Sequence, residues 1–226
     1  MESGTGDMQS TLANFSAISA AYHLPKRIVN INEYAILNEQ VPCGGAWWIS
    51  QLERVNTQGL RGNWLSAEAL HDFMAGLVGK PNANTPQYNA TEGGYWPTGE
   101  FQVYKYYNQD MTGHRVATTP TKDLSGDVYA TVDDKEKKVR VLVGARITTG
   151  TWQVKIDFLS SVGLPKHGVL DVRTFEFAGN ASNHEQRFDA PIDLGTSRVS
   201  YSGDSVLMPI HQTDNVTTWA FEFHTI

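Results

Sequence analysis

Lys138-Val139-Arg140-Val141-Leu142-Val143-Gly144-Ala145 alternates with a period of two, which puts Val139, Val141, Val143 and Ala145 on one side. Successive side chains of an extended strand point to opposite faces, so the octapeptide reads as a β-strand with an apolar face. The rhythm continues downstream. Trp152, Val154, Ile156 and Phe158 alternate with Gln153, Lys155 and Asp157, and the same pattern recurs at Val206, Met208 and Ile210 and at Trp219, Phe221 and Phe223. Turn residues separate these runs at Gly126, Asp133-Asp134, Gly150, Gly163-Leu164-Pro165, Gly179-Asn180 and Gly203-Asp204. Short alternating strands at this spacing predict an antiparallel β-sandwich over residues 115–226. Lys135-Glu136-Lys137-Lys138 reads as a solvated hairpin tip.

Upstream of residue 115 helical and strand periods alternate. Met8, Leu12, Phe15, Ile18 and Tyr22 recur at helical spacing and predict an amphipathic helix that Leu24-Pro25 ends. Arg27-Ile-Val-Asn-Ile-Asn-Glu-Tyr34 is a short buried strand with polar groups at its end. Pro42 opens a second helix with Trp48, Leu52 and Val55 on one stripe, and Leu60–Trp64 is a second strand. Ser66 caps a third helix carrying Leu70, Phe73 and Leu77; a loop spans 79–98, and a fourth helix runs from Glu100 to Met111. This α-β-α-β-α order is the grammar of parallel strands joined by helical crossovers.

Composition narrows the function. With 18 basic and 24 acidic residues the net charge is −6, which leaves no cationic excess for phosphates and disfavours nucleic acid. No eighteen-residue apolar run occurs to span a membrane. Seven histidines without a close pair argue against a metal site, and nothing calls for a cofactor. The single Cys43 forbids an internal disulfide and reads as a buried thiol. Four sequons, at Asn14, Asn89, Asn180 and Asn215, hint at secreted ancestry, yet the first residues do not read as a signal peptide. Aromatic residues make up 11% of the chain, which suits either sugar faces or an aromatic core.

The sharpest candidate for chemistry is Asn30-Ile-Asn-Glu-Tyr34. A carboxylate where a parallel strand ends, Glu33, occupies the position that barrel enzymes use for catalysis, and Gly62-Asn63-Trp64 places an indole at the end of the next strand. Carboxylate and ring together suit an oxocarbenium-like transition state; a turn-capping Glu and a core Trp would carry the same spacing. Tyr104, Tyr106 and Tyr107 with Trp96 could line a sugar groove, or could pack a helix onto the sandwich.

Val29-Asn-Ile-Asn-Glu-Tyr-Ala35, Gly44-Gly-Ala-Trp-Trp-Ile-Ser-Gln-Leu-Glu-Arg54, Leu60-Arg-Gly-Asn-Trp-Leu65 and Gly99-Glu-Phe-Gln-Val-Tyr-Lys-Tyr-Tyr107 together resemble fungal glycoside hydrolases. The series is similar to the C-terminal part of clan-A enzymes of the family 39 type, which are retaining β/α barrels followed by a β-sandwich. The resemblance implies an α+β chain with a partial (β/α) barrel segment over 1–114, strands seven and eight at 27–34 and 60–65, and the β-sandwich over 115–226. It implies that Glu33 is the nucleophile and Trp64 the sugar-platform indole; Asn32, Tyr34, Asn63 and Trp96 are the further candidates for carbohydrate binding. The family's acid/base glutamate follows strand four and would lie upstream of residue 1, and a full barrel needs about 250 residues. Glu39 and Glu53 are poor substitutes, because one lies in a loop and the other on a helix. The expectation is therefore a carbohydrate-active protein, catalytically incomplete by itself. A lectin-like binder and a protein-interaction relic are the alternatives. The unpaired edges of two parallel strands predict a homodimer or a complementary fragment as partner.

Overall fold

The computed structural model describes residues 7–62, 75–83 and 85–226. Over the second half, strands β6 (Gly126–Asp133), β7 (Lys138–Ala145), β8 (Gly150–Asp157), β9 (Gly168–Phe177), β10 (Ile192–Tyr201), β11 (Ser205–Gln212) and β12 (Thr218–His224) are antiparallel. With the short β5 (His114–Arg115) they form a six-stranded sheet in the order β10-β9-β12-β7-β6-β5, faced by the pair β11-β8. Between the layers lie Val139, Val141 and Val143 with Val154, Val206, Met208, Ile210 and Phe223. These are the residues that the two-residue rhythm selects. The β10–β11 hairpin closes one side of the sandwich, and the opposite side is open along β8. An apolar groove of about 730 Å³ runs there beneath Trp152 and Ile156.

The other face of β7 departs from the simple alternation. Arg140, Leu142 and Gly144 point away from the sandwich yet are buried. Helices α2 (Pro42–Arg54) and α3 (Gly99–Gln109) cover that face. Ala46, Ile49, Val103 and Tyr106 form one cluster with Tyr129, Leu142, Phe177 and Ala220, so the upstream segment and the sandwich share a core. A β-carbon on Gly144 would collide with the backbone of Trp47, which shows how closely α2 lies on the sheet. The tyrosines of α3 serve this packing. Tyr106 donates to Glu222 at 2.8 Å, and Tyr107 bonds Glu53.

Two buried ion pairs tie the layers. Arg54 of α2 pairs with Asp127 of β6, and Arg146, just after β7, pairs with Glu39. The Arg146 guanidinium also lies 4.6 Å from the Trp47 ring centroid and 5.4 Å from that of Trp48. A desolvated guanidinium needs such partners on every side, since an unpaired buried charge costs several kcal/mol.

Strands β1 (Asn30–Tyr34) and β2 (Gln58–Arg61) pair in parallel, with Asn30 opposite Gln58 and Ile31 opposite Gly59. Tyr34, Ala35, Trp47 and Trp48 pack with Met8 and Ile31 behind this pair. β1 is shorter than the sequence predicts, β2 begins at Gln58 rather than at Leu60 with expected positions 63–65 outside the described residues, and no closed barrel forms among the described residues. The fold class is α+β. The helix expected over 66–77 lies mostly outside the described residues.

Helix α1 (Met8–Ala21) forms where the periodicity places it, with Asp7 accepting from Ser10 N–H at its cap. Its apolar stripe is only partly used. Met8 is buried, whereas Phe15, Ile18 and Tyr22 are exposed, because nothing among the described residues packs over the later turns.

Candidate functional site

The C-terminal ends of β1 and β2 form a rim on which Glu33 stands. The parallel register slips between Ile31 and Tyr34, and Glu33 adopts φ of +58° at that irregularity. A left-handed backbone is costly for a residue with a β-carbon, and such outliers cluster where a side chain must be re-aimed. Glu33 and Asn32 are exposed. No hydrogen bond or ion pair occupies the Glu33 carboxylate among the described residues.

Behind the rim lies a buried polar network. Tyr34 is 5% exposed, and its hydroxyl shares a 2.8 Å hydrogen bond with that of Tyr104. Its ring lies 5.3 Å from Trp48. Arg61, at the end of β2, donates to both oxygens of Glu100 in the first turn of α3 and stands over the Tyr104 ring. Burial drives the Glu100 carboxyl up to about 8 despite the opposing pull of Arg61. Burial likewise holds the Tyr104 hydroxyl well above its ordinary range. Gly45 fits against Glu100, and any side chain there would displace the carboxylate. The network fixes the strand ends.

The backbone around the rim is equally tied. Gly62 N–H donates to the Tyr34 carbonyl at 2.6 Å, and Gln40 Nε2 donates to the Ala35 and Gly62 carbonyls. His184 Nδ1 lies 2.8 Å from the Gln40 carbonyl, which brings the 178–191 loop of the sandwich to the same place. The other two carboxylates weighed from the sequence are engaged. Glu39 is fully buried against Arg146 and accepts the Trp48 indole N–H at 2.9 Å. Glu53 meets Tyr107 and Arg115.

Of the remaining candidates, Asn63 and Trp64 lie outside the described residues. Trp96 is half-buried on the short pair β3 (Val78–Gly79) and β4 (Trp96–Pro97), and its indole N–H donates to the Glu185 carbonyl at 2.6 Å. Sequence reasoning missed Arg61, Glu100 and the 178–191 loop. An arginine ending an apolar strand and a glutamate in a helix's first turn were the available signals, but their pairing across 39 residues had none. Among the described residues no group of three His, Cys, Asp or Glu side chains could hold a metal ion.

No protein-family model and no curated protein matches the chain. Solved structures do. The chain is similar over its whole length to N2152 from Neocallimastix frontalis, with a TM-score of 0.76 at 18% identity. It is similar over 97% of its length to a glucosidase from Croceicoccus marinus, with a TM-score of 0.55 at 12% identity. A third match is the Paenibacillus polymyxa xyloglucanase of glycoside hydrolase family 44, with a TM-score of 0.50 at 11% identity over 93% of this chain and 34% of that one. The chain has a glycoside-hydrolase-like fold. It spans about half the length of the first two structures, 52% and 50% respectively. Within this glycoside-hydrolase-like fold, the parallel pair and the sandwich occur together in one chain.

Proposed function

We propose that the chain is the carbohydrate-active C-terminal portion of a retaining glycoside hydrolase of the family 39 type, with Glu33 as its nucleophile. The observation that carries this reading is a free, exposed carboxylate, re-aimed by a register slip at the C-terminal end of a parallel pair, in a glycoside-hydrolase-like fold. A carboxylate so placed can attack an anomeric carbon or stabilise positive charge on the ring. Asn32, Asn63 and Trp64 would then surround the sugar, and Tyr34 would hold the strand end in place through Tyr104. A retaining mechanism also needs a second carboxyl about 5–5.5 Å away. Glu39 and Glu53 are both occupied, so turnover requires an acid/base group from elsewhere. The exposed side chains of Ile28 and Leu60 beside β1 and β2 give such a complementary segment, or a second copy, an apolar surface to cover.

The engaged state of Glu39 and Glu53 also favours a second reading, sugar binding without turnover. Incubation with aryl glycosides and with a 2-fluoro glycosyl fluoride, followed by intact-mass measurement, separates the two. A covalent adduct that is lost in Glu33→Gln supports the nucleophile. Turnover that persists undiminished in Glu33→Gln excludes it. Oligosaccharide binding without adduct or turnover supports the lectin-like alternative.

A further inference from the structure

Two loops from opposite halves of the chain meet at Trp96 and flank an open pocket of about 330 Å³. Asn82 lines it from the first loop, and Asn183, Glu185, Gln186 and Arg187 from the second. We propose that this cavity is a separate carbohydrate subsite, which seats a single sugar ring against the Trp96 indole. The proposal rests on the reading of the chain as carbohydrate-active and adds to it a binding position away from Glu33.

The lining has the chemistry that a sugar ring demands. A pyranose or furanose offers an apolar C–H face and a girdle of hydroxyls, each both donor and acceptor. An indole serves the first; the Asn82 and Asn183 amides and the Arg187 guanidinium, whose Nε donates to Asp189 at 2.7 Å, serve the second. The volume lies at the small end of ligand pockets and suits one ring rather than a run of several.

The site is also built in advance of any ligand. Trp96 is oriented by its hydrogen bond to the Glu185 carbonyl and seated over Gly79, where a β-carbon would collide with the indole. Phe188 N–H donates to the Pro97 carbonyl at 3.0 Å, and Gln102 Nε2 donates to the Phe188 carbonyl at 2.7 Å. Asn180 Nδ2 donates to Gln186 Oε1 at 2.6 Å. Lys80, buried, ties down the first loop: its ammonium donates to the Ala90 carbonyl at 2.6 Å and stands 4.9 Å from the Tyr95 ring centroid. Loops that are ordered before binding lose little entropy when the ligand arrives. The second loop is bonded through His184 to Gln40, and hence to the backbone that ends β1 and β2.

The test is calorimetric titration of the full chain with cellohexaose, xylohexaose and arabinohexaose, with tryptophan emission recorded in parallel. Asn183 and Arg187 are exposed, so Asn183→Ala and Arg187→Ala should fold as the parent does. Each should weaken binding about tenfold, the range for a hydrogen bond to a charged or well-placed polar group. Trp96→Ala should weaken it further, with Trp96→Phe restoring part of the loss. If the parent binds a hexasaccharide and both surface variants bind it equally well, the subsite is overturned while the carbohydrate-active reading stands. If the parent binds none of the three, both fall.

Discussion

Arg54 and Asp127 form a buried ion pair that crosses from helix α2 to strand β6, joining the half of the chain with helical periodicity to the half with strand periodicity. Asp127 has no exposed side-chain surface and also accepts from Gln51 Nε2 at 2.7 Å. Arg54→Met should therefore destabilise the protein by about 3 kcal/mol, because it leaves a buried carboxylate short of its counter-charge. Asp127→Asn should cost less, and the double variant less than the sum of the two, with a coupling of at least about 1 kcal/mol. Urea unfolding followed by circular dichroism measures all three. Strict additivity would show that the pair does not couple the layers.

Gly144 sets how closely α2 approaches β7. Gly144→Ala puts a methyl group against the Trp47 backbone, which cannot rotate away. The expected loss is about 1–3 kcal/mol, the range for overpacking a tight interior. A thermal midpoint unchanged from the parent would show that the helix can lift without penalty.

Stability should depend on pH in two separate windows. Asp133 accepts from Thr112 Oγ and from the Lys135 and Glu136 amides, and these bonds, Thr112's foremost, pull its carboxyl down to about 2. An unfolded aspartate titrates near about 3.9, so this contribution is intact above that value and is lost as pH falls through 2. Glu100 behaves in the opposite sense. Held near 8 in the fold and at about 4.3 when unfolded, it keeps its proton only in the native state between those values. Its contribution is complete below about 4.3 and disappears as pH rises through 8. Thermal midpoints from pH 2 to 9 should reveal both limbs, with Asp133→Asn flattening the acidic one and Glu100→Gln the alkaline one.

Glu33 stands at a backbone angle that favours glycine. Glu33→Gly should raise stability by about 1 kcal/mol by relieving that conformation, while removing any nucleophilic activity. A destabilised Glu33→Gly would mean that the side chain makes structural contacts and that the left-handed angle stores no strain.

The strands of the sandwich are legible because burial of one face forces a two-residue period. Val139, Val141 and Val143 announce β7, and Trp219, Phe221 and Phe223 announce β12. β9 and β10 are harder to read. β10 is exposed along nearly its whole length and carries Gly195, Thr196 and Ser197, so neither face imposes a pattern. The double coverage of β7 was also hidden. Arg140 and Leu142 are compatible with a solvated outer face until α2 and α3 are known to lie there. At the rim, a carboxylate closing an apolar run could be read directly, which is why Glu33 stood out. The Arg61–Glu100 pair depends on tertiary approach between residues far apart in the chain, for which local periodicity carries no information.

The two indoles beneath Arg146 have an optical consequence. Trp47 and Trp48 are adjacent, essentially inaccessible to solvent, and held at 90° with ring centroids 5.0 Å apart. Two chromophores locked in a fixed geometry acquire near-ultraviolet dichroic bands, and a guanidinium over them tunes their emission. Both signals vanish once the rings rotate independently. Because this pair sits where α2 meets the sheet, its spectrum is a built-in gauge of that junction. Peeling of the helical layer from an otherwise intact sandwich would erase those near-ultraviolet bands while the far-ultraviolet strand signal survives.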